Sequence, residues 1–305
     1  MKKIQILLMS ALLITSVIVI TQCKKSDVVV VPVDPFKVKL GTSTTLGKYL
    51  TDKDENALYF FAHDAAGVNT CTGGCTANWP IFKASGLTMA NIPSGLAIAD
   101  FDSIDSPSGK QLTYKGWPLY YYAPGGVREN PKETTGDKVG GVWFVAKPDY
   151  TIMLATAQLH ASDLKNYIVS LTNVYSEGTG MTTYFTDSIG RTLYAFFRDS
   201  ANINKYTKAD FSNNPAWPIY ETDKIVVPST LNKTLFSSIN VFGKKQLTYK
   251  GWPMYYVKGD VDAAGKFRGY NTGVYGPLPT KWPIFFYNPE NKNPAEDMYP
   301  AAPMK

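Results

Sequence analysis

Lys110-Gln111-Leu112-Thr113-Tyr114-Lys115-Gly116-Trp117-Pro118 returns without a change as Lys245-Gln246-Leu247-Thr248-Tyr249-Lys250-Gly251-Trp252-Pro253. The six tryptophans obey nearly the same offset. Trp79 and Trp217 lie 138 apart, Trp117 and Trp252 135, Trp143 and Trp282 139. Tryptophan is too rare for chance to do this, so the chain is one design written twice. Working outward, Tyr49-Leu50-Thr51-Asp52 corresponds to Tyr184-Phe185-Thr186-Asp187. Leu58-Tyr59-Phe60-Phe61-Ala62-His63-Asp64 corresponds to Leu193-Tyr194-Ala195-Phe196-Phe197-Arg198-Asp199. The first half spans 38–150 and the second 178–290, with 151–177 reading as connecting strands and 291–305 as a loose tail.

Each half is itself doubled. Tyr59, Tyr120, Tyr194 and Tyr255 each open a short aromatic strand, and each is followed by a Trp, at Trp79, Trp143, Trp217 and Trp282. An acidic residue stands five after the Tyr in three cases, Asp64, Asp199 and Asp260; Gly125 stands there in the fourth. Asp52-Lys53-Asp54-Glu55-Asn56 and Asp187-Ser188-Ile189-Gly190 read as turns between paired strands. With 20 Tyr, 15 Phe, 24 Gly and 20 Pro, and few helical patterns, the chain reads as all-β. The expectation is a tandem repeat of four small antiparallel β units. No unit is large enough to bury its own apolar face, so neighbours must cover one another, in a propeller-like ring or as two packed β-sandwiches. Thr207-Lys208-Ala209-Asp210 has capping-box spacing and predicts one helical turn before Trp217.

The N-terminus is a separate matter. Met1-Lys2-Lys3 is a basic start and Ile4 to Ile20 an apolar run that ends at Thr21-Gln22-Cys23, which reads as a bacterial secretion signal over 1–22. The placement of Cys23 resembles a lipobox, with Gln22 a departure from the small residue usual there. That resemblance implies acylation of Cys23 and a membrane attachment through several lipid chains. Residues 23–37, with Val28–Val31, Pro32 and Pro35, then form an extended tether. Without Lys2 and Lys3 the chain has 29 Lys+Arg against 25 Asp+Glu. The charges are scattered, which argues against a nucleic-acid partner. In an exported protein Cys71 and Cys75 read as a disulfide, with a metal pair or a working redox dithiol as alternatives. The second copy has Ala209 and Asn213 at those places, so the fold does not require the bridge.

With these residues in view, the chain resembles a bacterial family of predicted lipoproteins carrying a Tyr-x-(Phe/Trp/Tyr)-x-x-Asp motif, a secreted repeat of unknown function. Tyr59, Phe61 and Asp64 match the motif, as do Tyr194, Phe196 and Asp199; Tyr255 and Asp260 match around Val257. The Cys71, Cys75 and Trp79-Pro80 element also resembles the family, and Cys23-Lys24-Lys25-Ser26-Asp27 resembles the start of many Bacteroidetes lipoproteins. The resemblance implies an envelope location, a repeated β architecture and no established activity.

Two readings of the motif compete. In the structural one, Tyr and Phe two apart enter one face of a core and the Asp accepts turn N–H groups. In the other, the carboxylates converge on an axis and hold a cation. His63 and His160 are the only histidines. They read as surface residues, with haem or copper ligation by His63 and a Met such as Met89, Met153 or Met181 as the alternative. No Gly-x-Ser-x-Gly, His-Glu-x-x-His, P-loop or dinucleotide fingerprint occurs. The leading expectation is therefore an outer-membrane lipoprotein acting as a non-catalytic binding or scaffold module, without a cofactor and with an outer-membrane protein complex as partner. An envelope electron-transfer accessory is the second reading. Glycan binding through the aromatic loops at Trp117 and Trp252 is the third.

Overall fold

The computed structural model describes residues 37–83, 86–170, 174–260, 282–287 and 301–304. The signal segment, Cys23, most of the tether and most of the tail lie outside these residues. The chain divides at Asp34 and Pro35 into two compact units, and every described residue belongs to the larger.

The first half contains β1 (Val38–Ser43), β2 (Gly47–Asp52), β3 (Tyr59–Phe61), a single helical turn α1 (Cys75–Asn78), β4 (Phe101–Ser106), β5 (Gly109–Tyr114), β6 (Trp117–Pro118) and β7 (Trp143–Val145). The remainder contains β8 (Met153–Ala157), β9 (Leu159–His160), β10 (Asn166–Val169), β11 (Tyr175–Glu177), β12 (Thr182–Thr186), β13 (Phe236–Val241), β14 (Lys244–Tyr249), β15 (Trp252–Pro253) and β16 (Phe286–Tyr287). All pair antiparallel, in sheets of two or three strands. The fold is all-β with several small sheets. Among the described residues these sheets close neither a barrel nor a propeller ring, so the propeller expectation is not met at the level of strand pairing.

The repeated nonapeptide is a strand, a tight turn and a return strand. Tyr114 pairs with Trp117 and Tyr249 with Trp252, leaving two-residue loops. Lys115 and Gly116 have φ of 50° and 77°, and Lys250 and Gly251 have 49° and 84°. Positive φ at both loop positions is what a type I′ hairpin requires, and Gly supplies the second at no steric cost. Upstream, β4–β5 and β13–β14 are the same six-pair hairpin, Phe101↔Tyr114 through Ser106↔Gly109 and Phe236↔Tyr249 through Val241↔Lys244.

Hydrogen bonds recur between halves as the residues do. The Leu50 N–H donates to Ala146 O at 2.7 Å, and the Phe185 N–H to Phe285 O at 2.9 Å. The Tyr59 N–H and O exchange bonds with Tyr120, all at 2.9 Å, and those of Tyr194 do the same with Tyr255. Of the connecting strands, β8 pairs with β12, much as β1 pairs with β2, while β9, β10 and β11 form a sheet of their own.

Successive strand residues point to opposite faces. Both faces are covered in the first half, which is why Tyr49 to Asp52 are all buried. Leu50, Leu58, Leu119 and Tyr121 enter one apolar cluster; Tyr49, Tyr59, Tyr120, Trp79 and Trp143 enter another. A third cluster joins the halves, placing Phe60, Trp117 and Phe144 with Tyr150, Ile152, Met153 and most of the second-half aromatics.

Two local expectations are corrected. Residues 207–210 form turns rather than a helical turn. The Asn213 side chain takes over that segment, its Oδ1 accepting the Lys208 N–H and its amide donating to Tyr206 O. The end of the tail is not loose: the Ala302 N–H donates to Lys250 O at 2.9 Å, the Ala201 N–H donates to Pro303 O at 2.8 Å, and Ala302 is buried. The hairpin carbonyl at Lys250 needs a donor, and the tail supplies it.

Candidate functional site

The motif residues assemble at the Tyr59/Tyr120 backbone pair and again at Tyr194/Tyr255. Each tyrosine reaches across to a carboxylate that follows its partner. The Tyr120 hydroxyl donates to Asp64 Oδ2 at 2.6 Å, and Tyr59 donates to Glu129 Oε1. In the second half Tyr255 donates to Asp199 Oδ2 at 2.7 Å and Tyr194 to Asp260 Oδ2 at 2.9 Å. The exchange ties each strand to the loop after its neighbour.

The other carboxylate oxygen of these groups closes its own loop. Asp64 Oδ1 accepts the Thr70 N–H at 2.8 Å and its hydroxyl at 2.6 Å. Asp199 Oδ1 accepts the Lys205 N–H at 2.7 Å. Glu129 Oε2 accepts the Thr135 N–H at 2.7 Å and hydroxyl at 2.8 Å. Glu129 thus fills the role for which Gly125 stands at the regular spacing. The loop after Tyr120 is longer, and the acid falls nine residues on instead of five.

Beneath each lock sits a fully buried glutamine from the repeated nonapeptide. The Gln111 amide donates to Leu119 O at 3.0 Å and its oxygen accepts Asn69 Nδ2 at 2.7 Å. Gln246 makes the same bonds with Met254 O at 2.8 Å and Asn204 at 2.7 Å. Sequence reasoning missed Glu129 and both glutamines. The signal for the glutamines was available: an amide retained among apolar neighbours in an unchanged nonapeptide.

Burial governs the protonation of the locks. It pushes Asp64 up to about 6 and Asp199 up to about 7, against the hydrogen bonds they accept. Glu129 is raised for the same reason. Tyr59, Tyr120 and Tyr255 are driven far above the ordinary tyrosine range, first by burial and then by the carboxylates they face. These are donors that stay protonated.

The tryptophans pair within halves. Trp79 stacks on Trp143 with centroids 3.7 Å apart and planes 2° apart, and Trp217 stacks on Trp282 at 3.7 Å and 6°. In the first half the stack extends through Phe61, 4.1 Å from Trp143, to His63, 4.7 Å from Phe61. The second half has Arg198 in place of His63, and its stack continues only to Phe196, 4.5 Å from Trp282. His63 is half-buried and its pKa is lowered by burial. Met89 and Met181 are exposed, Met153 is in the core, and His160 is half-buried on β9. Among the described residues no three or more His, Cys, Asp or Glu gather into a group that could hold a metal.

Trp117, Tyr120 and Tyr121 are buried, so the first of the aromatic loops considered for sugar stacking is core; Trp252 is half-buried. Cys71 and Cys75 form a disulfide with S–S 1.99 Å and Cα atoms 5.4 Å apart. It fixes the turn leading into Trp79. Asn213 stands where Cys75 does, and its two side-chain bonds clamp the corresponding turn before Trp217.

Two grooves flank the Trp-Pro-Ile segments. Each has a guanidinium over the equivalent tyrosine ring: Arg128 over Tyr121 at 3.7 Å and Arg191 over Tyr256 at 4.0 Å. The two arginines come from different places in the repeat, the loop after Tyr122 and the turn after Asp187.

Residues 42–83 match the model of a family described as a secreted repeat of unknown function. The matched segment runs from β1 to the end of the Trp79-Pro80 element and contains the first lock's Tyr59 and Asp64 and the disulfide. No curated protein and no solved structure matches the chain. A secreted-repeat family suggests an extracellular or envelope location, and among the described residues no helix is long and apolar enough to cross a membrane.

Proposed function

We propose that the protein is a non-catalytic binding or scaffold module of the cell envelope, attached to the outer membrane through a lipid on Cys23. The observation that carries this reading is the internal use of the motif. In both halves the tyrosine hydroxyls and carboxylates are buried and bonded to one another, which makes the repeated signature a device for holding loops in place. The same proposal takes the locks Tyr120–Asp64, Tyr59–Glu129, Tyr255–Asp199 and Tyr194–Asp260 as the seams between four related units, each opened by one of these tyrosines. The partner class is an outer-membrane protein complex.

The anchor is tested by metabolic labelling with an alkyne fatty acid. Cys23→Ser should lose the label and leave the membrane fraction; label retained in that variant sinks the anchor. The binding role is tested by photo-cross-linking in intact cells from two groove positions, half-buried Thr76 and exposed Ser108. A discrete adduct that survives Asp64→Asn is expected. Turnover of a defined substrate by the folded protein, abolished by the same substitution, would overturn the non-catalytic reading.

The stacked rings from His63 to Trp79 favour a second reading, an electron-transfer accessory that takes haem or copper. A haem titration followed at the Soret band decides it: a band lost in His63→Ala supports the reading, and an unchanged haem spectrum with no bound copper rejects it.

A further inference from the structure

We infer that the groove between Tyr121 and the β4–β5 hairpin binds an oxyanion, a carboxylate or phosphate carried by a small polar molecule. The inference deepens the binding-module reading and rests on it. It comes from comparing two copies of one groove inside the same chain. The first has a volume of about 440 Å³ and is lined by Thr76, Pro80, Ile81, Lys83, Ser108 and Arg128 beside Tyr121. The second has about 500 Å³ around Pro218, Ile219, Glu221, Tyr256 and Arg191. Both volumes suit a molecule of monosaccharide size.

The second groove neutralises itself. Arg191 Nε is 2.7 Å from Asp187 Oδ2, and Lys244 Nζ on the hairpin is 2.7 Å from Glu221. The first groove has the same backbone with those charges changed. Lys83 stands where Glu221 does, and Gly109 where Lys244 does, so neither member of that ion pair recurs in the first groove; on its hairpin Asp105 is paired with Lys110 at 2.8 Å. A Cβ built at Gly109 would lie 3.4 Å from Lys83 Nζ, which places the ammonium at the hairpin tip beside Ser108. Asn56 replaces Arg191, and its side chain and backbone satisfy Asp52. Asp52 also accepts the Tyr121 hydroxyl at 2.9 Å, and Asp54 pairs with Lys53 at 2.7 Å. The nearby carboxylates are thus occupied from within. Arg128 and Lys83 have no ion-pair partner among the described residues.

The geometry suits an oxyanion. Arg128 lines the groove with its Cζ 3.7 Å from the Tyr121 ring centroid, and a guanidinium offers N–H donors in a planar fork that matches two oxygens at once. Lys83 adds a point charge and Ser108 a hydroxyl donor. Pro80 and Ile81 form an apolar wall for the carbon skeleton of the ligand.

The test is calorimetric titration of the full chain in non-ionic detergent at low ionic strength, with sodium phosphate and sodium glucuronate as probes. One-to-one binding that weakens with added salt is expected. Arg128→Gln, and Lys83→Glu which copies the second groove, should each weaken it by about tenfold or more. Lys165→Gln, the same loss of charge at a distant turn, should leave it unchanged. Preference for phosphate identifies a tetrahedral group and preference for glucuronate a carboxylate; either supports the inference. Absence of binding by both probes, or equal weakening by Lys165→Gln, overturns it. That failure leaves the envelope-module reading to be judged by the cross-linking adduct alone.

Discussion

A carboxylate taken out of water holds its proton more tightly, and Asp64 and Asp199 are both in that position. Their ordinary value is 3.8, and in the fold they stand at about 6 and about 7. A raised folded value means the native state binds the proton more strongly than the unfolded chain does. The stabilisation from these two groups is therefore complete below about pH 4 and is lost as pH rises through 6 and 7. Denaturant midpoints should fall between about pH 4 and pH 7, and Asp199→Asn should flatten part of that fall. An unchanged pH slope in the variant would show that Asp199 does not titrate in this range. Tyr255→Phe removes the hydroxyl facing Asp199 and leaves a buried oxygen without its donor. It should cost about 1–3 kcal/mol in chemical denaturation. The motif tyrosines and aspartates could be picked out from their spacing. That each Tyr serves the carboxylate of the other strand could not, because the exchange depends on Tyr59 and Tyr120 lying side by side. Glu129 was hidden for the same reason: the lock tolerates a longer loop that breaks the count of five.

At the scale of elements, the two turns before Trp79 and Trp217 show one geometry held by two chemistries. A disulfide closing so short a loop contributes about 2 kcal/mol through the unfolded chain. Two side-chain hydrogen bonds from one asparagine contribute about 1–2 kcal/mol. Reduction, or the double substitution of Cys71 and Cys75 by Ala, should lower stability by about 2 kcal/mol without changing the far-ultraviolet circular dichroism. Asn213→Ala should cost a similar or smaller amount. Global unfolding on reduction would show that the bridge holds more than its own turn. The hairpins at Lys115-Gly116 and Lys250-Gly251 were legible as part of a repeat, since an unchanged nonapeptide implies one local structure. A Cβ at Gly251 would lie 3.2 Å from the Ala201 backbone, so the loop position is closed to a side chain by tertiary packing as well as by its positive φ.

For the whole molecule, the repeat does not amount to two independent halves. Phe60, Trp117 and Phe144 share a core with Tyr150, Ile152 and Met153 and with the second-half aromatics. Cutting there exposes large rings that neither half can cover. A fragment of residues 38–150 should bind a hydrophobic dye and unfold without a cooperative transition, whereas the whole chain unfolds cooperatively; a cooperative fragment would mean the shared core is dispensable. Sequence by itself determined the duplication, the all-β class and the cysteine pair; of the four tyrosines expected to open strands, Tyr59 opens β3, while Tyr120, Tyr194 and Tyr255 make isolated bridges because their partners meet them for one residue only. The duplication, the class and the cysteine pair are carried by local chemistry and by spacing along the chain, which a repeat makes visible. Only the tertiary structure decided that Trp79 stacks on Trp143 rather than on its sequence counterpart, that the locks are reciprocal, and that Lys250 recruits the tail. It also decided that one of two like grooves is left cationic. Each of these outcomes depends on which surfaces meet across many residues. Hydrophobic burial drives such meetings without direction, and the hydrogen bonds and charges settle them only once the strands are side by side.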